Sequence, residues 1–264
     1  RLEEAKKNAS TVFFLAVYVS LMIILILVPT AKPFLELLQT PKDIIDNGLG
    51  YFIVQIITTG FITINSVFIG LEKAKGNTQK ILRLNIIIMT IKLILSVIFV
   101  YGLGLGIIWI SIATMIAQAF LTLFAFMILF NKNNIFRITF SETKLQWQNV
   151  KPILMLSLPI FLGRFIFSTG RVIINAMAAV YGTVVLSAFS IAQKIGGGGA
   201  TLASVWEEAV PTVVSQNMGN NHSERAKKVY PIALFYGVTV GVLTVSYAFL
   251  LFNQIVPLIV NKDT

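Results

Sequence analysis

The chain has 264 residues, 56% of them hydrophobic and 12% charged, with no cysteine, one histidine and a net charge of +10. Soluble domains carry roughly a quarter charged residues, so a water-soluble globular class is excluded. The missing cysteines exclude disulfide and thiol chemistry, and His222 alone is no basis for a histidine metal site or proton relay.

In chain order, the opening RLEEAKKNAS is charged and lacks a cleavage pattern, so no signal peptide is expected there. Seven apolar runs follow at 11–30, 48–71, 83–101, 105–130, 152–180, 183–216 and 230–258. Each approaches the roughly 20 residues that a bilayer core requires. The sixth is interrupted by Gly196-Gly197-Gly198-Gly199 and by Pro211, which predicts a bend or a partial exit from the bilayer. The stretch 131–151, NKNNIFRITFSETKLQWQNVK, is the longest hydrophilic connection and is the expected linker between two lobes.

The chain also echoes itself. Glu3-Glu4-Ala5-Lys6-Lys7 returns 221 residues later as Glu224-Arg225-Ala226-Lys227-Lys228, and Phe14, Val17 and Val19 meet Phe235, Val238 and Val240. After one gap, Lys42-Asp43 meets Lys262-Asp263. A membrane chain repeating itself in one direction predicts two similar lobes about an axis along the membrane normal, an architecture of transporters. Because the second copy has barely begun at residue 264, the chain is expected to be a window of a longer protein.

The basic residues alternate between the two sets of loops. One set holds Arg1, Lys6 and Lys7; Lys73, Lys75, Lys80 and Arg83; Lys132, Arg137, Lys144 and Lys151; and Arg225, Lys227 and Lys228. The other holds only Lys32, Lys42 and Lys262. This bias predicts that the first set is cytoplasmic. The positive charge is thereby a matter of topology, and no nucleic-acid partner is expected.

Four basic residues fall inside spans: Lys92, Arg164, Arg171 and Lys194. A charge at mid-membrane costs at least about 2.5 kcal/mol and usually faces a bundle interior or a watery cavity. In the fifth run Ser157, Arg164, Ser168, Arg171 and Asn175 are spaced 7, 4, 3 and 4, which places them on one helical face. The sixth carries a similar stripe of Ser187, Ser190, Lys194, Thr201, Ser204, Glu208 and Ser215. Glu207 and Glu208 are read as the acids lying well within an apolar context, able to neutralise Arg164, Arg171 or Lys194. Two readings stand side by side: structural ion pairs, or a polar pathway for substrate or coupling ion. On the third run Asn85, Lys92 and Ser96 share a face. Gln55, Thr59, Asn65 and Ser66 on the second, and Ser111, Thr114, Gln118 and Thr122 on the fourth, read as helix-packing contacts. Gly102, Gly104, Gly106 and the Gly196–199 run are candidates for flexing or for close packing.

Several of these segments resemble, in order, those of the multidrug and toxic compound extrusion (MATE) family of secondary transporters. They are LLQTPKDI (37–44), LEKAKGNTQK (71–80), NIIIMTIKLILSVIFVYGLGLGIIWISIATMIAQ (85–118), SLP (157–159), AFSIAQKI (188–195) and SQNMGNNHSERAKK (215–228). The resemblance implies an all-α integral membrane protein of twelve helices in two six-helix lobes. This chain then holds helices three to nine. Residues 1–130 correspond to the latter part of the N-terminal lobe, 131–151 to a cytoplasmic inter-lobe linker, and 152–264 to the first part of the C-terminal lobe.

The family resemblance further implies an antiporter of a bacterial cytoplasmic (inner) membrane, working as a monomer by alternating access. It exports drugs or other small amphipathic compounds in exchange for protons or sodium, with no cofactor, no metal and no enzymatic activity. Departures from the family pattern carry weight. Lys92 and Ser96 stand where many members carry Asn and Asp, Phe167 stands where some carry a glutamate, and Glu208 replaces a common glutamine. Coupling would then run through helices outside this chain, through Glu207 or Glu208, or with a different stoichiometry. The basic residues favour an anionic or zwitterionic substrate over an organic cation. They also open an alternative within the same superfamily, a flippase for a phosphate-bearing lipid-linked precursor. No GxSxG, HExxH or Walker pattern points to an enzyme.

Overall fold

A bilayer core has no water to satisfy backbone N–H and C=O groups, so a spanning segment must close its hydrogen bonds on itself. Among the described residues the regular elements are all helices. The computed structural model describes residues 2–37, 42–139 and 146–259. Arg1, residues 38–41 of LLQTPKDI, Lys144 and Lys262 lie outside these, as do the side chains of Lys194 and Glu207. The elements are α1 (Leu2–Leu27), α2 (Ala31–Leu37), α3 (Lys42–Ala74), α4 (Thr78–Val97), α5 (Ile108–Leu129), α6 (Trp147–Val180), α7 (Thr183–Gly219) and α8 (Ser223–Ile259). A π-helical turn, Ile98–Gly102, ends α4, and Gly104 at φ 62° turns the chain toward α5.

Among the described residues six helices are long and apolar enough to cross a membrane: α1, α3, α4 with its π turn, α5, α6 and α8. The sequence led to seven. The difference is α7, whose glycine run, Glu207, Glu208 and Lys194 dilute its apolar content. The glycine run and Pro211 do not end α7, which is helical through all four glycines and through Pro211.

Two compact units divide the chain, Arg1–Ser157 and Leu158–Thr264. In the first, α3 packs between α1 and α5, and α4 lies along α5. Phe13, Phe14, Phe68, Leu121, Ala125 and Leu129 form its apolar cluster, with Phe13 edge-on to Phe126 at 5.5 Å. Ile138 is buried in the same cluster, held by its N–H donating to the Leu129 carbonyl at 2.9 Å.

A polar seam runs between α3 and α5. Asn65 Nδ2 donates to the Gln118 carbonyl (3.0 Å) and to Gln118 Oε1 (2.9 Å), and Thr122 Oγ1 donates to Asn65 Oδ1 (2.9 Å). Further along, Ser111 Oγ donates to Gln55 Oε1 at 3.3 Å. On the other flank of α3, Ser20 Oγ of α1 donates to the Gly60 carbonyl at 3.2 Å. The stripes on the second and fourth runs thus meet each other as packing contacts. Thr59, Ser66 and Thr114 instead donate to carbonyls of their own helices.

In the second unit α7 lies along α8. A Cβ at Gly199 would overlap the Thr244 side chain, so this glycine of the run serves close packing. Trp206 stacks on Tyr236 with centroids 5.1 Å apart. Gln193 Nε2 of α7 donates to Asn175 Oδ1 of α6 at 3.0 Å. The sequence echo has a structural counterpart: Lys6 pairs with Glu3 at 2.7 Å in α1, and Lys227 with Glu224 at 2.8 Å in α8.

Asn65 is 2% exposed, and its replacement by Leu removes three interhelical hydrogen bonds while keeping the branched shape of the side chain. Interhelical polar contacts in membranes contribute about 0.6–2 kcal/mol. Asn65→Leu should destabilise the protein by that order, read as a lower thermal midpoint in detergent.

Candidate functional site

The residues Glu72-Lys73-Ala74-Lys75-Gly76-Asn77 end α3. Gly76 adopts φ 81°, a conformation that costs a side-chain-bearing residue but not glycine. The Asn77 N–H returns to the Glu72 carbonyl (3.0 Å) and the Gly76 N–H to the Lys73 carbonyl (2.9 Å). This is the Schellman pattern of helix termination. It doubles the chain back so that side chains from both sides of the turn converge on the Glu72 carboxylate.

Glu72 is fully buried. Lys75 Nζ lies 2.5 Å from Oε1, while Asn77 Nδ2 donates to Oε2 at 3.0 Å and Lys80 Nζ sits 3.3 Å from the same oxygen. Asn77 occupies the N-cap position of α4, yet its amide serves Glu72 and no side chain caps that helix. A further group, which holds Lys75, comes from beyond α5. Asn134 Oδ1 accepts from Lys75 Nζ at 2.7 Å and from the Phe136 N–H at 3.1 Å, and Asn134 Nδ2 donates to the Ile128 carbonyl at 2.8 Å. Lys75 Nζ also stands 5.6 Å over the Phe136 ring.

One carboxylate thereby ties the end of α3, the start of α4 and the segment leaving α5. A cavity of about 470 Å³ opens beside it, lined by these groups together with Asn131, Asn133, Met127 and Ile135. Sequence reasoning passed over Glu72, reading its lysine neighbours as topology and naming Glu207 and Glu208 as the acids in apolar context. Among the described residues the fully buried acid is Glu72; Glu208 is exposed. The available signal was the Glu-x-x-Lys spacing followed at once by Gly-Asn.

The residues singled out in the spans are distributed over both units. Lys92 is exposed on α4 and Ser96 half-buried one turn on. Arg164, Ser168, Arg171 and Asn175 are exposed along α6, whose unbroken helix keeps them on one face. Asn175 is engaged by Gln193, and Arg164 and Glu208 each have an interaction partner. The Thr212 hydroxyl donates to the Glu208 carbonyl at 3.4 Å. Lys194 and Glu207 lie within α7, their side chains outside the described set.

Removing one partner of a buried ion pair leaves the other charge uncompensated, at a cost of about 3–5 kcal/mol. Glu72→Ala strands the nearly buried Lys75 and should cost about that much. Lys80→Ala removes a cation that is 41% exposed and should cost under about 1 kcal/mol. Thermal unfolding of the two variants in detergent checks the ranking.

The family model MatE matches residues 1–98 and 159–264. No curated protein matches the chain. Among solved structures, the chain is similar to a MOP superfamily transporter from Pyrococcus furiosus, in which a reversed polarity of the binding pocket suggests a different function. The identity is 20%, the TM-score 0.89, and the match covers 99% of this chain and 58% of that one. It is also similar to a multidrug resistance MATE family transporter in an outward-facing conformation, at 20% identity and TM-score 0.85 over 96% of this chain and 56% of that one. An inward-facing conformation of such a transporter matches at 17% identity and TM-score 0.72, over 97% and 64%. The chain therefore spans 56–64% of the length of these structures. With one family model matching two segments that together make up most of its length, the chain belongs to the MatE family, as a multi-pass membrane protein.

Proposed function

We propose that the whole protein is a secondary active exporter of small amphipathic compounds. It exchanges them for protons or sodium by alternating access, in a bacterial cytoplasmic membrane with its basic loops inside. The observation that carries this reading is the family match over both segments, joined to similarity with relatives in outward- and inward-facing conformations. The echo at 221 residues supports two lobes of like construction, and the fourteen-to-three bias of loop lysines and arginines supports the orientation. A ligand moves such an equilibrium only through differential affinity for its two states, so substrate and ion must couple or compete.

Lys92, Arg164 and Arg171 are the proposed pathway residues whose charge would choose a substrate, with Ser96, Ser168 and Asn175 on the same helices. Lys194 on α7 is proposed as a fourth such cation, and Glu207 and Glu208 on the same helix as their counter-charges. Lysine and arginine in the spans favour an anionic or zwitterionic compound, and the relative described as having a pocket of reversed polarity makes that departure from organic cations more reasonable. The same cations favour a second reading, a flippase for a phosphate-bearing lipid-linked precursor, because guanidinium groups pair bidentately with phosphate oxygens.

The test uses the complete protein in an efflux-deficient bacterial host. Accumulation of ethidium and of a zwitterionic fluoroquinolone is followed with the proton or the sodium gradient intact or collapsed. Export of the fluoroquinolone but not of ethidium, lost with one gradient, is the expected result and names the ion. Unchanged accumulation of both, despite good membrane expression, overturns the drug-exporter reading. In the same assay Arg171→Glu should reduce export at least about tenfold, since it sets a like charge against the proposed anionic group of the substrate, a juxtaposition that costs several kcal/mol. Membrane expression should be retained.

A further inference from the structure

We infer that the cavity beside Glu72 is a binding site for the phosphate of an anionic phospholipid headgroup, separate from any transport pathway. Its charge is the first observation. Lys75 and Lys80 face a single carboxylate, so the lining is net positive, and exposed Arg83 and Lys132 stand one helical turn and one residue away from it. Lys75 is spent on Glu72 and Asn134, but Lys80 is only loosely held, 3.3 Å from a carboxylate oxygen and partly exposed. Its remaining N–H donors are available to an anion.

Neutral donors stand beside the cations. Asn131 and Asn133 line the cavity, and the Asn133 side chain takes no part in the Glu72 network. The first turn of α4 borders it as well, and no side chain caps that helix because Asn77 is turned to Glu72. Helix N-termini favour phosphate oxygens, here as a supplement to the lysines. A cavity of about 470 Å³ falls within the roughly 300–1,000 Å³ of small-ligand sites.

Depth decides what brings the phosphate. The cavity lies where three spans end, at Ala74, Thr78 and Leu129, which is the level of the headgroups. Its apolar rim, Met127 and Ile135, is exposed, and Leu123 and Phe120 continue that strip along α5 toward the membrane core. A phospholipid satisfies both ends: phosphate at the lysines, an acyl chain along α5. Basic pockets between spans at this depth suit anionic headgroups.

The experiment takes the complete protein, purified in mild detergent, and measures retention of phosphatidylglycerol and phosphatidylcholine by native mass spectrometry. Thermal stability is followed with each lipid and with inorganic phosphate. Wild-type protein should retain phosphatidylglycerol severalfold over phosphatidylcholine and gain stability from it but not from inorganic phosphate. Lys80→Gln should reduce that retention severalfold while leaving the unliganded midpoint nearly unchanged. Asn133→Asp, which adds a negative charge without touching the Glu72 set, should do the same and serves if Lys80→Gln fails to fold. Equal retention of the two lipids, or retention indifferent to both substitutions, overturns the site. Stabilisation by inorganic phosphate equal to that by the lipid assigns it to a free anion and overturns the lipid assignment.

Discussion

Hydrocarbon gives a helix no hydrogen-bonding partner, so each polar side chain within a span must find one on the protein. That constraint decides how the first unit is put together. Apolar side chains do not choose between helix registers on their own, because lipid tails are as apolar as leucine. Asn65, Gln118 and Thr122 do choose: their hydrogen bonds close only when α3 and α5 lie side by side in one register. Ser20 fixes α1 in the same manner, through the Gly60 carbonyl. The aromatic and aliphatic cluster around Phe13 and Phe68 then fills the space that the polar contacts have defined.

The same requirement is harsher for a full charge, and Glu72 shows how it is met. A buried carboxylate is tolerable only if paired and hydrogen-bonded. Here the Schellman turn at Gly76 brings three partners from nearby in sequence, Lys75, Asn77 and Lys80, and Asn134 secures the buried lysine from far along the chain. The contrast with Glu3 and Lys6, or Glu224 and Lys227, is one of environment. Those pairs have comparable distances but are exposed, and exposed pairs contribute about 0–1 kcal/mol. They mark the repeat, while Glu72 organises one end of its unit.

Local pattern made much of this legible. Continuous apolar runs gave the ends of the long helices to within a few residues, but the charged first turns of α1 and α8 begin well before those runs and the short α2 was not expected. Polar residues at helical spacing gave the seam between α3 and α5. The order of six short motifs gave the family. Glu72 was not legible in the same way, because an acid beside lysines at the end of a run looks like an interfacial charge. What buries it is the 131–138 segment, about sixty residues later, folding back onto the end of α3. Periodicity carries no information about such a long-range return. At α7 glycine and proline leave the helix continuous, and at Gly199 the missing side chain lets α8 approach, the close-packing reading of that run.

The exposed basic residues on α4 and α6 put a condition on any transport cycle. A cation at mid-bilayer against lipid costs at least about 2.5 kcal/mol. Arg164 and Arg171 are separated by about 10.5 Å along the α6 axis, at 1.5 Å per residue, so both cannot reach the same headgroup layer. The face they share must therefore meet water, counter-charge or substrate rather than acyl chains. On the proposed reading this requirement persists through the cycle. When no substrate is present, water or a carboxylate must solvate the guanidinium groups; when an anionic substrate is present, it takes over that role. A substrate that neutralised them equally in both conformations would bind without shifting the equilibrium. Export thus demands that the cations meet the substrate more closely on one side of the membrane than on the other, which makes their placement, and not only their charge, the selectable feature.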